Sequence, residues 1–543
     1  VDFIFSVRRS YLQFLFAALK LPFLPTYNDS QFKFNYKINQ KNKITFIGLG
    51  ALDQFALNSK VNDNITDTIQ REYNEYILGN IPTQNQWNYT VGVNWLHFSK
   101  NSFQNVIVSR NMLNNSAVKY LNNTVSEANK ILDYSSFEAE NKIRLEHTYS
   151  KNGWRINAGL GYEYVRYNNE TYNQISIQGA PVTIDYTSNL YLSKGSLFGQ
   201  VSKSFLSERL NLSFGLRTDV SNYSKSLMNP LDQLSPMFSA SFRLNEKWSI
   251  NGNVARYHQL PAYTILGYRN ANDELSNKTN NVKYIRADHF VLGTEYVTDF
   301  SSRFSVEGFY KMYSRYPYSV VDSISLANLG TDFGVVGNEV IQSTSDGRSY
   351  GIEFLYQQKL LKGFYGIVAY TFVNSEFKDK NNSYVASSWD SKNIVSLTGG
   401  KRFKKGWEVG VRWLYSGGAP YTPIDVSTSS LKQVWDVNGR GLLDYSQLNS
   451  QRESVFHQLN FRVDKKFFFE KFAMNFYLDI QNLYAYKTKV APVLLLVKDS
   501  NGLPLTDPND PSRYQTKLID QTTGIVQPTL GIILEFAHKK KIK

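Results

Sequence analysis

Six histidines, His97, His147, His258, His289, His457 and His538, are the chain's only imidazoles, and they lie far apart. No H-E-x-x-H pair and no G-x-S-x-G nucleophile elbow occurs. Cysteine is absent, which excludes disulfides, thiolate metal sites and a cysteine nucleophile. Gly48-Leu-Gly50, Gly159-Leu-Gly161 and Gly330-Thr-Asp-Phe-Gly334 fit no phosphate loop. Asp436-Val-Asn-Gly-Arg-Gly-Leu-Leu-Asp444 is oxygen-rich like a calcium loop but lacks the closing glutamate. Its Asn-Gly step reads better as a turn, and so does Asp507-Pro-Asn-Asp-Pro511. No catalytic residue, metal or cofactor is therefore expected.

The charges are more informative. Arg155, Asn157 and Glu163 recur at odd positions of one segment, as do Arg217 and Asp219 of another. Arg303, Glu307 and Lys311 follow the same rule; Glu408 and Arg412, then Arg462, Asp464 and Asp479, complete the set. Each alternates with apolar residues at period two, the period of a strand. The stretch 454–481 displays the pattern best. Val455, His457, Leu459, Phe461 and Val463 form one face of its first arm, and Phe472, Met474, Phe476, Leu478 and Ile480 that of its second. A soluble sheet turns such a face to a core. An outer-membrane barrel turns it to lipid and keeps the polar face for its lumen.

The rest of the chain decides between them by repeating the unit. Paired strands are expected at 32–38 and 44–52, 87–98 and 103–110, 137–149 and 154–165, 197–205 and 210–220, 237–244 and 248–257, 290–297 and 304–313, 350–358 and 364–372, and 394–403 and 407–415. Very short turns join each pair. Between pairs lie long segments rich in Asn, Asp, Ser, Tyr and Pro: 53–86, 168–189, 259–283, 315–347, 417–453 and 484–527. Short turns on one side and long loops on the other are the asymmetry of a bacterial outer-membrane barrel. The expected fold is all-β, a large antiparallel transmembrane barrel with about twenty strands present. Its inward set is Arg155, Glu163, Arg217, Asp219, Arg303, Glu307, Lys311, Glu408, Arg412, Arg462, Asp464 and Asp479, since a midplane Arg or Lys facing lipid costs roughly 2–4 kcal/mol.

Composition agrees. The 543 residues contain 37 Tyr and 35 Phe, which suit strands and aromatic girdles, and no composition shift divides the chain. Residues 1–543 are therefore read as one barrel domain. Mean hydropathy is −0.38, against a helical membrane protein but compatible with a barrel. The net charge of +14 is scattered, often in short turns, with no basic stripe except His538-Lys539-Lys540-Lys541, and no nucleic-acid partner is expected. Only 11–25 invites a helix, too short to span a bilayer. Val1 to Arg8 already reads as a strand, so earlier sequence is expected to be missing. Leu530, Ile532, Leu534 and Phe536 form the apolar face of a last strand, expected to close the barrel against the first.

Phe456-His-Gln-Leu-Asn-Phe-Arg-Val-Asp-Lys465, Phe476-Tyr-Leu-Asp-Ile-Gln-Asn-Leu-Tyr484, Asp2-Phe-Ile-Phe-Ser-Val-Arg-Arg-Ser-Tyr-Leu12 and the 530–536 strand carry a resemblance. Together they resemble the barrel of TonB-dependent outer-membrane receptors of the Bacteroidetes type. The resemblance implies a 22-stranded barrel around an N-terminal plug, with a short plug segment engaging the TonB complex. Neither plug nor TonB-binding segment can be placed in this sequence. The seven residues after Phe536 depart from a family that usually stops at a terminal aromatic.

The function that follows is import of a scarce nutrient (an iron chelate or siderophore, a corrinoid, a glycan or a peptide) from the outer membrane, where the wall meets lipid. A surface lipoprotein is a further expected partner. Expected ligand contacts are the loop residues Tyr263, Tyr268, Arg269, Tyr316, Tyr318, Trp389, Tyr421, Trp435 and Tyr445, while Trp87, Trp154, Trp248, Trp407 and Trp413 should form the interfacial belt. The alternatives are a passive porin or envelope scaffold and, last, a barrel-borne hydrolase.

Overall fold

The computed structural model describes residues 2–177, 180–299, 301–330 and 337–536. One antiparallel sheet dominates it. Its strands are β1 (Asp2–Arg9), β2 (Phe23–Lys37), β3 (Asn42–Leu57), β4 (Thr83–Phe98), β5 (Ser102–Tyr120), β6 (Lys130–Lys151), β7 (Trp154–Ile177), β8 (Ala180–Phe205), β9 (Leu210–Ser221), β10 (Ser235–Arg243), β11 (Trp248–Gln259), β12 (Ile285–Val297), β13 (Ser302–Ser319), β14 (Ile341–Leu361) and β15 (Phe364–Lys378). They continue with the short β16 (Tyr384–Ala386), then β17 (Lys392–Arg402) and β18 (Trp407–Ser416). A small loop pair, β19 (Pro420–Tyr421) and β20 (Gln451–Arg452), precedes β21 (Phe456–Phe468) and β22 (Phe472–Gln481). A loop hairpin, β23 (Thr488–Leu496) and β24 (Thr516–Thr523), precedes the last strand, β25 (Gln527–Phe536).

Each strand of the sheet pairs with its neighbour in the chain, from β1–β2 through β15–β17, β17–β18, β18–β21 and β21–β22 to β22–β25. The short turns explain this order. Asn152-Gly153 and Lys405-Gly406 hold both central residues at positive φ (52° and 74°; 62° and 78°), whose twist matches that of the flanking strands. A Cβ on Gly406 would stand 2.2 Å from the Lys466 carbonyl oxygen, so that turn needs glycine for space as well.

The wall has an apolar outside. Trp154, Ile156, Leu160, Tyr162 and Tyr164 of β7 are exposed, and so are Leu530, Ile532 and Leu534 of β25. Leu478↔Leu530, Phe476↔Ile532 and Met474↔Leu534 are direct cross-strand partners, so the rows run unbroken between strands. Apolar surface on this scale needs a lipid solvent rather than water. No helix of the described residues is long and apolar enough to cross a membrane; the one at Leu12–Ala18 has 7 residues.

Two expectations change. Segment 168–189, read as a loop, is mostly strand, because β7 and β8 run on to Ile177 and from Ala180. Segment 315–347 likewise gives its ends to β13 and β14. These extensions carry Asn, Tyr and Thr on both faces, which hides the alternation that marks the rest. Among the described residues β1 pairs with β2 and β25 with β22. Long loops also meet on that side. Lys517 and Lys498 of the last long loop lie 2.6 and 3.3 Å from Glu72 and Glu75 on the helix Thr68–Asn80 of the first. Lys119, almost fully buried on the extension of β5, holds the C-terminus of that helix by donating to the Leu78, Ile81 and Asn123 oxygens.

Candidate functional site at the long-loop mouth

Regular register places the inward set by simple counting. Arg155 and Glu163 fall between the exposed residues of β7, Arg217 and Asp219 stand on the face opposite Phe214 and Leu216, and Arg303, Glu307 and Lys311 opposite Phe304, Val306, Tyr310 and Met312. Glu408 and Arg412 stand opposite Trp407 and Val411. Most of these charges are partnered along their own strand or with the next one. Arg217 and Asp219 bond at 2.6 Å, Arg303 reaches Glu295 at 2.8 Å, and Glu408 takes Arg402 at 3.0 Å and the Tyr365 hydroxyl at 2.6 Å. Arg462 is held by Asp464 at 2.8 Å and lies 3.9 Å from Asp479.

At the long-loop end this inner face bears a cavity of about 430 Å³, lined among others by Glu138, Glu163, Lys194, Arg217, Asp219 and Tyr263. Tyr263 comes from the long loop between β11 and β12, on the short helix Tyr263–Gly267. Its hydroxyl donates to Glu140 at 2.6 Å and accepts from Lys194 Nζ at 3.0 Å. Lys194 also meets Glu163 at 2.6 Å and Glu140 at 3.6 Å, while Lys142 meets Glu140 at 2.5 Å. A loop is thus fastened to the wall by a five-membered polar network. Beside it lies an apolar cluster that includes Val165, Tyr167, Leu192, Tyr223, Leu227 and Leu266. Those strand residues are the inward face of the extensions beyond the apolar outer rows.

Burial governs the titration of the loop tyrosines. It pushes Tyr223 and Tyr284 above the ordinary phenol value, and Tyr263 higher still, with the bond to Glu140 adding to burial there. A pKa raised on folding contributes stability that is complete below the unfolded value, about 10, and lost as pH rises through the folded one. We expect the loop 260–284 to loosen progressively as pH rises above about 10. Hydrogen exchange of its amides across that range, beside tyrosinate absorbance, checks this; late-ionising tyrosines with an unchanged loop contradict it.

The other expected contact residues mostly serve the loops. Tyr268 packs edge-on to Tyr186, Arg269 donates to the Asp273 carbonyl at 2.5 Å, and the Tyr318 hydroxyl donates to the Ser323 carbonyl at 2.7 Å. Tyr316 and Trp389 both pack on Phe377. Tyr421 pairs with Gln451 through backbone, Trp435 is buried on the helix Lys432–Asn438, and Tyr445 opens a single 3-10 turn. That helix contacts β7 and β8, so the loop between β18 and β21 reaches across to the wall that bears the cavity. It ends on Gly439 in the left-handed conformation, which replaces the oxygen-rich loop by a helix cap. Among the described residues no group of three or more His, Cys, Asp or Glu could hold a metal ion. His538 and the lysines beside it lie outside the described residues, as does most of 330–334.

A family model for the TonB dependent receptor-like β-barrel matches residues 14–483. The chain belongs to this family. Its members are outer-membrane receptors and transporters rather than enzymes, which fits a wall with an apolar outside and a charged inside. No curated protein matches the chain. Among solved structures it is similar to the ferric yersiniabactin uptake receptor FyuA from Yersinia pestis, at 12% identity and a TM-score of 0.58, covering 95% of this chain and 71% of that one. The ferric-catecholate import receptor Fiu from E. coli K12 gives 11%, 0.59, 94% and 74% on the same measures. The ferripyoverdine receptor of Pseudomonas aeruginosa gives 11%, 0.60, 94% and 65%. At these identities the likeness is one of fold. As a TonB-dependent receptor barrel, the chain has its short turns on the periplasmic side and its long loops outside.

Sequence reasoning missed Glu138, Glu140, Lys142 and Lys194, which make up much of the network. All four stand at the inward parity of their strands, so the signal was present: Glu138, Glu140 and Lys142 lie inside the expected strand 137–149, and Lys194 lies just before the expected strand 197–205.

Proposed function

We propose that residues 1–543 form the barrel of an integral outer-membrane importer that takes up an iron chelate by TonB-coupled transport, through a plug not contained in these residues. The single observation that carries this reading is the fastening of Tyr263 to Glu140 and Lys194 beside a charged inward cavity. A loop from outside and the wall from within meet at one place, where a polar ligand touches both. The likeness to FyuA, Fiu and the ferripyoverdine receptor, named for ferric yersiniabactin, ferric-catecholate and ferripyoverdine, supports the iron-chelate class. The cavity offers carboxylates, a guanidinium, an ammonium and phenols, a donor and acceptor mixture suited to a chelate carrying several oxygens. Tyr263, Glu163, Arg217 and Asp219 are the contacts we assign to it, with Glu138 and Lys194.

The loops also argue against a passive pore. Asn449 of the β18–β21 loop donates to the Asn328 and Ala386 carbonyls at 2.9 and 2.8 Å, tying three loops together over the mouth. The test is titration of the purified chain in detergent with a panel of ferric siderophores, read by tryptophan fluorescence. We expect saturable binding by at least one, weakened about tenfold or more by Glu163→Gln. Liposomes that swell in small sugars, with no saturable chelate binding, would favour the porin.

A further inference from the structure

The chain's charge is not spread evenly over the fold. The nine short turns and their strand ends occupy 34–45, 95–105, 148–157, 202–213, 240–251, 294–305, 358–367, 399–410 and 465–475. These stretches hold 20 of the 60 Lys and Arg but only 6 of the 46 Asp and Glu. Their surplus of 14 equals the net charge of the whole chain, and the remaining residues balance at 40 of each sign. The basic character of the protein is therefore a property of one rim.

The direction of these side chains is as telling as their number. Lys203 is the cross-strand partner of Trp154, and Lys465 that of Trp407; both tryptophans are exposed on the apolar outside. Their ammonium nitrogens stand 4.8 and 4.9 Å from those ring centres, and Lys401 stands 4.1 Å from that of exposed Phe364. Lys203 and Lys465 also donate to the carbonyls of Asn152 and Lys405, at 2.8 and 2.7 Å. Among the described residues, none of the three meets a carboxylate within 4.0 Å, whereas Lys247, Arg303, Arg402 and Lys466 on the same rim do. These cations lie on the lipid-facing wall, level with the interfacial tryptophans, where a bilayer places its phosphates.

We propose that the short-turn rim binds the phosphates of anionic phospholipids in the adjoining leaflet, with Lys203, Lys401 and Lys465 as outward contacts and turn cations such as Lys405 behind them. The proposal rests on the outer-membrane reading above. A protein partner in the periplasm would meet the turns themselves; it would not call for cations turned onto belt rings along the apolar wall.

The test reconstitutes the full chain in phosphatidylcholine vesicles containing either brominated phosphatidylglycerol or brominated phosphatidylcholine, and reads quenching of tryptophan fluorescence. We expect the brominated anionic lipid to give half-maximal quenching at a mole fraction about fivefold lower or less at low salt. That preference should shrink to about twofold or less in 1 M NaCl, where screening acts within about 3 Å. Combined replacement Lys203→Gln, Lys401→Gln, Lys405→Gln and Lys465→Gln should remove it while the β circular-dichroism spectrum persists; if that variant does not fold, the salt series on the unaltered chain decides. Equal quenching by the two lipids, or a preference indifferent to salt, overturns the proposal alone. Absence of quenching by either lipid overturns the membrane reading with it.

Discussion

Replacing Arg452 by methionine should destabilise the loop crown by about 3 kcal/mol or more, among the largest effects of any single outer-loop change. Asp390, at the foot of the loop between β15 and β17, has a fully buried side chain. It accepts from the Ser375 amide at 2.9 Å, lies 3.0 Å from Lys392 and is paired with the Arg452 guanidinium. The same guanidinium donates to the Asp390 and Gly418 carbonyls at 2.7 and 2.9 Å. Methionine keeps much of the volume but leaves the buried carboxylate with only Lys392 and the Ser375 amide, and takes this donor from two carbonyls at once; removing one partner of a buried pair costs more than the pair gains. Amides of 384–390 and 418–452 should exchange about a hundredfold faster, at 1.4 kcal/mol per factor of ten, while the strands keep their protection. Arg452→Lys should recover only part, since one ammonium cannot point along all three bonds. Exchange altered by less than about threefold would show that the loops do not depend on this junction.

The second large effect should come from Lys194→Met. Lys194 is mostly buried and serves Glu163, Glu140 and the Tyr263 hydroxyl together. Without it the two glutamates keep Lys142, at 2.5 and 3.8 Å, as their one paired cation among the described residues, and Glu140 keeps the Tyr263 hydroxyl. A cost of about 2–4 kcal/mol is expected, with loop 260–284 released from the wall. Chelate affinity should fall with it, because Tyr263, the loop side of the proposed site, leaves the wall. Glu163→Gln on top of Lys194→Met should restore part of the lost stability, though not of the affinity, by removing the stranded charge, a non-additivity of at least about 1 kcal/mol in a double-mutant cycle. Additive losses would mean that Lys194 acts through packing alone.

Much of this fold was legible because strand parity is a strong constraint. A slip of one residue would turn Arg155, Glu307 or Arg462 into lipid, so the apolar rows and short turns such as Asn152-Gly153 suffice to place every charge by counting. Legibility failed where the membrane stops acting. Beyond the apolar band both faces of β7 and β8 touch water or loops, so 168–177 and 180–189 carry no alternation, and the strands read as a loop. The site was harder still. Tyr263 was one of nine loop residues with equal claims, and only folding decides which of them turns inward. Tyr316, Trp389 and Trp435 have the same chemistry but spend it on packing. The rim charge was visible as scattered basic turns; its coherence needed the topology that brings nine distant turns to one edge.

The most direct measurement of the central claim is uptake of a radiolabelled ferric siderophore by cells expressing the full-length protein, with and without TonB. Saturable uptake is expected, falling about tenfold or more when TonB or the proton gradient is removed, and falling similarly in Glu163→Gln. Uptake that rises linearly with concentration and ignores both TonB and the substitution would contradict it and make the protein a passive pore.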